Sequence, residues 1–123
     1  MDEFEAREAR EAEARERAKS DEQDLHNALR VILGTIEGKR VVFWLLGRAG
    51  LYSDPFSIDD AVERYKLGRR SLGLELLDKL NQTDARLYPS LIMDMAEARE
   101  MDRAAREAAT RAKPTEDGDD QYA

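Results

Sequence analysis

The residue types that carry most protein chemistry are sparse in this chain: it holds one histidine, His26, and no cysteine. A metal site needs several convergent ligands, and nucleophilic catalysis needs a base beside Ser or Cys. Neither set can be assembled from the sequence, so His26 reads as an ordinary, partly exposed residue near the start of an apolar helix. Carboxylates are plentiful, but Glu3/Arg7, Glu11/Arg15 and Glu13/Arg17 stand four residues apart. That is the spacing of surface ion pairs on a helix, not of an acid dyad held in a cleft. The glycines at 34, 38, 47, 50, 68 and 73 are scattered, and none builds a phosphate-cradling turn between strand and helix. The expectation is a protein with no enzymatic activity, no metal and no cofactor.

What remains is chemistry of contact. Lys39-Arg40 and Arg69-Arg70 are two basic clusters, the second flanked by Arg64 and Lys66. They read either as a solvated helix face, paired with the chain's own acids, or as a site for a carboxylate or phosphate surface, which Arg suits by its planar fork. The net charge of −7 favours an acidic protein surface over a polyanion. A broad nucleic-acid surface is not expected. Trp44 and Tyr65, set among Val and Leu, read as core. Ala98, Met101, Ala105, Ala108 and Ala112 recur at alternating spacings of three and four, a heptad-like seam of small residues. It can pack on the charged N-terminal helix of the same chain or on another chain.

At 123 residues there is room for one core. The charge is unevenly spread: residues 1–24 carry 10 acids and 5 bases, residues 25–95 carry 9 and 10, and residues 96–123 carry 8 and 5. The centre is thus nearly neutral and holds the apolar residues. Absence of cysteine fits a reducing compartment. The opening residues lack the basic-then-apolar order of a secretory signal, and Val41 to Leu46 is far too short to span a bilayer, so no membrane step is expected.

The periodicity predicts an all-α protein, a small bundle of three to four core helices with a charged N-terminal helix and a long C-terminal Ala/Met-rich helix. Residues 1–20 form a solvated arm, 21–95 the core domain, 96–113 a helical extension and 114–123 a disordered acidic tail. Ser20 or Asp21 is a candidate cap for the first core helix, with Leu25, Ala28, Leu29, Ile32 and Leu33 on its buried face. Thr35 caps a second helix that is apolar nearly all round, so it should sit in the middle of the core. Gly50-Leu51 has the form of a glycine cap with its hydrophobic contact, and Phe56 should fold back as a plug after Pro55. Ser57 should cap a third helix with Ile58, Ala61, Val62, Tyr65, Leu72, Leu76, Leu77 and Leu80 as its buried stripe, on which Gly68 and Gly73 mark close helix packing. Asn81 to Asp84 reads as a connection, and Pro89 suits the first turn of the last helix.

Four pieces in this order resemble a known family: the leucine-rich helix from Asp24 to Leu33; Thr35-Ile36-Glu37-Gly38-Lys39-Arg40 running into Trp44-Leu45-Leu46; Ala49-Gly50-Leu51-Tyr52 with Phe56; and Leu67-Gly68-Arg69-Arg70-Ser71-Leu72-Gly73-Leu74 with Leu76-Leu77. The family is a set of short tailed-phage proteins encoded among head and portal genes, typified by a Bordetella podophage product. The chain departs from its pattern at Lys39, where arginine is common, and at Leu67, where an acid is. The resemblance implies a phage structural or virion-assembly protein near the portal or head interior, found in the virion and, during assembly, in the host cytoplasm. Its expected partners are portal, scaffold or internal proteins, with a homo-oligomer left open. The competing expectation is a phage or bacterial regulatory module that docks on nucleic acid or a host protein.

Overall fold

A computed structural model describes residues 2–112; the expected acidic tail lies outside them. Asp2 caps the first helix by accepting from the Glu5 backbone N–H at 2.7 Å, and Glu3 and Glu5 place negative charge at the positive end of the helix. This helix, α1, runs unbroken over Glu3–Ile32. The break expected at Ser20 or Asp21 does not occur. Each costs only about half a kcal/mol inside a helix, whereas a new start would require a fresh nucleus. Arm and first core helix are therefore one rod.

The turn into α2 (Ile36–Arg48) follows the predicted chemistry. Thr35 Oγ1 accepts from the Gly38 N–H at 3.0 Å and donates to the Ile32 carbonyl at 3.2 Å, tying the end of one helix to the start of the next. The turn is so tight that a Cβ at Gly38 would lie 1.8 Å from that carbonyl oxygen. At the other end Gly50 has φ +84°, the left-handed conformation glycine adopts freely. Leu51 N–H donates to Leu46 O at 3.3 Å and Gly50 N–H to Gly47 O at 3.0 Å, the paired bonds of a Schellman cap. The chain is thereby turned back, and Leu51 packs with Ala49 against Gly73.

Two boundaries shift from expectation. Ser57 does not cap α3 (Asp60–Thr83); Asp59 does, accepting from Ala61 and Val62 N–H, while Ser57 Oγ accepts from Asp59 N–H one turn earlier. Residues 81–83, expected in a connection, stay helical because Thr83 is buried and its hydroxyl donates to Lys79 O at 2.8 Å. The connection shrinks to Asp84–Arg86, and α4 covers Leu87–Ala112 with Pro89 in its first turn.

The four helices meet in one small core, and the described residues contain no strand. Leu46, Leu80 and Leu91 are fully buried, with Leu29, Leu33, Val42 and Met95 around them. Full burial is worth about 2 kcal/mol for each leucine. α1 packs on α3, α2 packs on both α3 and α4, and α3 meets α4. The pairs Glu22–Lys79 and His26–Thr83 make α1 and α3 parallel, whereas Lys39–Asp94 and Tyr52–Tyr88 make α2 and α4 antiparallel.

Much of the expected core is not in it. Trp44 is 61% exposed, Tyr65 66% and Leu72 66%; Phe56, the expected plug, is 76% exposed. α2 buries only Val42 and Leu46 and presents Val41, Trp44 and Leu45 outward, so it is not central. Phe56 is held away by a local bond, its N–H donating to Asp54 Oδ1 at 3.0 Å. Gly73 does mark close packing, since a Cβ there would be 2.6 Å from Ala49 Cβ, but Gly68 has nothing within 4 Å and marks none.

The two glycines therefore predict opposite outcomes. Gly68→Ala should raise stability by up to about 1 kcal/mol through helix propensity alone, and Gly73→Ala should lower it because Ala49 and Leu51 must move. Thermal unfolding followed by circular dichroism reads both.

Candidate interaction surfaces

His26 is more engaged than its sequence context indicates. Its Nδ1 meets Thr83 Oγ1 and its Nε2 lies 3.2 Å from Glu22 Oε1, with only 15% of the side chain exposed. Because Thr83 gives its own hydroxyl proton to Lys79 O, it is the acceptor toward Nδ1–H. Lys79 Nζ reaches Glu22 Oε1 at 2.6 Å, and Arg30 Nη2 donates to the Thr83 carbonyl at 3.0 Å. This five-residue network fastens α1 to α3. Thr83 is buried and its hydroxyl proton is committed to Lys79 O, and the whole network sits on a seam between two helices. The spacing of Glu22, His26 and Arg30 at four residues was a legible signal; their partners on α3 were not.

The four predicted basic positions divide into internal and outward ones. Lys39 pairs with Asp94 and is largely covered, tying α2 to α4. Arg70 donates to the carbonyls of Ser53 at 3.3 Å and Gly50 at 3.5 Å, holding the loop that follows α2 against α3. Arg40 is exposed on the rim of a groove of about 280 Å³ that it shares with Ile36, Asp94, Glu97 and Ala98. Arg69 lies over the Tyr65 ring at 5.3 Å, and its Nε is covered without a hydrogen-bond partner. Lys39-Arg40 and Arg69-Arg70 are thus not two uniform clusters. In each pair one side chain holds the fold and the other remains free to make contacts.

The Ala/Met seam also divides. Ala98 is half-buried beside Ile36, and Arg99 reaches over the Phe43 ring at 4.8 Å. From there on, Met101, Ala105, Ala108 and Ala112 are exposed. The first eighteen residues of α1 are likewise exposed apart from Ala6, so seam and N-terminal arm do not pack on each other in the chain. Neither offers the other enough apolar area to offset the ordering of two helices.

Two apolar surfaces are not legible in the sequence, because their residues have the chemistry and spacing of a core. One is the outer face of α2 with Val41, Trp44 and Leu45; the other is the outer face of α3 with Val62, Tyr65 and Leu72, next to the exposed Phe56 and Ile58. Between them lies an apolar groove of about 420 Å³ walled by Leu45, Ala49, Leu72 and Leu76, with Glu75 and Lys79 at its edge. A helix of 13 residues flanked by only two packed neighbours could have warned that α2 has a free side.

The Lys79 ammonium, hydrogen-bonded to Glu22, holds that carboxyl below its ordinary value, against a smaller opposing effect of desolvation. A depressed carboxylate contributes stability above the ordinary glutamate value and loses it as pH falls through the lowered one. The wild-type chain should therefore lose thermal stability on acidification more steeply than Glu22→Gln. The difference between the two profiles should open below the ordinary glutamate value, as read by melting curves across acid pH.

No helix among the described residues is long and apolar enough to cross a membrane. No curated protein and no solved structure matches the chain. A family model described as Bbp19-like phage protein matches residues 29–97, which contain all of α2 and α3 and every residue of the buried core. The chain belongs to the Bbp19-like phage protein family.

Proposed function

We propose that this phage protein serves as a structural or virion-assembly component in the portal or head-interior neighbourhood, acting through protein–protein contacts and catalysing nothing. The observation that carries the reading is the distribution of apolar side chains. Among the described residues eighteen large hydrophobics are exposed, while the buried core holds eight. A stable monomer rarely leaves a contiguous apolar surface open unless something binds there. Trp44, Phe56, Ile58, Tyr65 and Leu72 are of the types that anchor interfaces, the aromatics above all.

The charge pattern supports protein partners over nucleic acid. A chain of net charge −7 opposes a polyanion, and in each basic pair one cation, Lys39 or Arg70, is already held internally. The natural partners are portal, scaffold or internal proteins, and the natural location is the virion, with the host cytoplasm during assembly.

Mass spectrometry of purified particles and of assembly intermediates should detect the chain. Its absence from both would reject the reading and leave a regulatory module in its place. Trp44→Ala, an exposed position, should leave helix content unchanged and cut incorporation about tenfold or more if Trp44 anchors a contact.

A further inference from the structure

On α3, Val62, Tyr65, Arg69, Leu72 and Leu76 follow one another at spacings of three and four, which puts them on one side of the helix. No element of the chain covers the outer part of this stripe: Val62 is 41% exposed, and Tyr65 and Leu72 are each 66% exposed. Leu72 stands on the wall of the apolar groove whose other sides are Leu45, Ala49 and Leu76. The groove is open, apolar and of a size to take a leucine side chain from outside.

The charges around Leu72 single out the occupant. Arg69 lies three residues before it and Glu75 three residues after it. Neither makes an ion pair among the described residues; Arg70 is engaged with the carbonyls of Gly50 and Ser53 and Lys79 with Glu22, while Arg64 and Lys66 stand eight and six residues before Leu72, away from the centre of the face. The Arg69 guanidinium is set over the Tyr65 ring with its Nε covered, so it can gain hydrogen bonds only through its terminal nitrogens. A basic residue and an acidic residue placed evenly about an apolar centre form a self-complementary pattern: a two-fold axis through that centre brings each base to the other copy's acid.

We propose that the outer face of α3 binds the same face of a second copy of this chain, across a two-fold axis beside Leu72. Each Leu72 enters the groove of the other copy, and Arg69 of each copy pairs with Glu75 of the other. α1 already occupies the C-terminal end of the face, where Glu22 and His26 meet Lys79 and Thr83. The two α3 helices therefore cross instead of running alongside, and a ridge-in-groove crossing of about 50° confines their contact to roughly two turns on either side of Leu72. An unrelated partner would have no reason to match this symmetry of charge. The pairing stands apart from the question of where the chain resides in a particle, since it concerns the purified chain alone.

Sedimentation equilibrium of the purified full chain tests it. The wild type should associate to twice the chain mass. Leu72→Glu, at an exposed position, should sediment as a monomer with unchanged helical circular dichroism. Arg69→Glu and Glu75→Arg should each weaken association by about tenfold or more, because a like-charge pair replaces each ion pair. The double variant Arg69→Glu/Glu75→Arg should restore it. A monomeric wild type overturns the proposal, as does a dimer that Leu72→Glu leaves intact or a double variant no tighter than the singles. Association of Leu72 with a different phage protein in place of a second copy overturns it as well.

Discussion

Leu46, Leu80 and Leu91 come from three different helices and exclude water completely, and every other contact in the molecule is arranged around the small volume they share. That volume is short compared with the helices that supply it. A helix of 30 residues such as α1 is about 45 Å long, while its buried contribution is confined to Leu29 and, just beyond its end, Leu33. The same holds for α3, whose buried residues begin at Gly73, and for α4, whose last is Met95. Rigid helices that meet over a limited core must extend beyond it. The overhangs of α1, α3 and α4 follow from this one constraint.

A small apolar core does not by itself fix how long rods are inclined to one another, because burial is non-directional. Polar contacts outside the core supply direction. The network of Glu22, His26, Arg30, Lys79 and Thr83 sets α1 against α3. Lys39–Asp94 and the reach of Arg99 over Phe43 set α2 against α4. Tyr52 and Tyr88 join hydroxyls at 2.8 Å and close the opposite end of that pair. These pairs are partly covered, and what they add beyond stability is direction. Their importance is geometric, since a few degrees of rotation at the core would move the tip of an overhanging helix by several ångströms.

Features that depend on a few consecutive residues were legible in the sequence. Thr35 caps α2, Gly50 turns the chain through a Schellman cap, and Pro89 falls in a first helical turn, each because the backbone geometry is satisfied locally. Ser20 and Asp21 carried a similar local signal that did not prevail, because a helix already propagating gains nothing by restarting. What could not be read was which apolar side chain the chain itself would cover. Trp44, Phe56 and Tyr65 have the chemistry of buried residues, but burial requires a neighbour, and pattern does not reveal whether that neighbour lies in the same chain. Gly68 and Gly73 make the point within one helix. Five residues separate them, so they point about 140° apart; Gly73 faces Ala49 and Gly68 faces open space.

The family match and the exposed surface bear on one another in a specific way. Residues 29–97 contain the whole core, but they also contain Val41, Trp44, Leu45, Phe56, Ile58, Tyr65 and Leu72, which contribute almost nothing to it. If the matched region specified only a fold, those positions would be free to become polar, since a solvated helix face is better served by charged residues. Here they are aromatic and branched apolar residues instead, set on two faces that flank one groove. The N-terminal arm beyond residue 29 and the helix beyond residue 97 have the opposite character, charged and alanine-rich. The chain is thus divided between a compact centre whose outer faces are suited to bind and long polar extensions suited to reach. On the function proposed above, the exposed faces of that centre are where a partner chain would make contact.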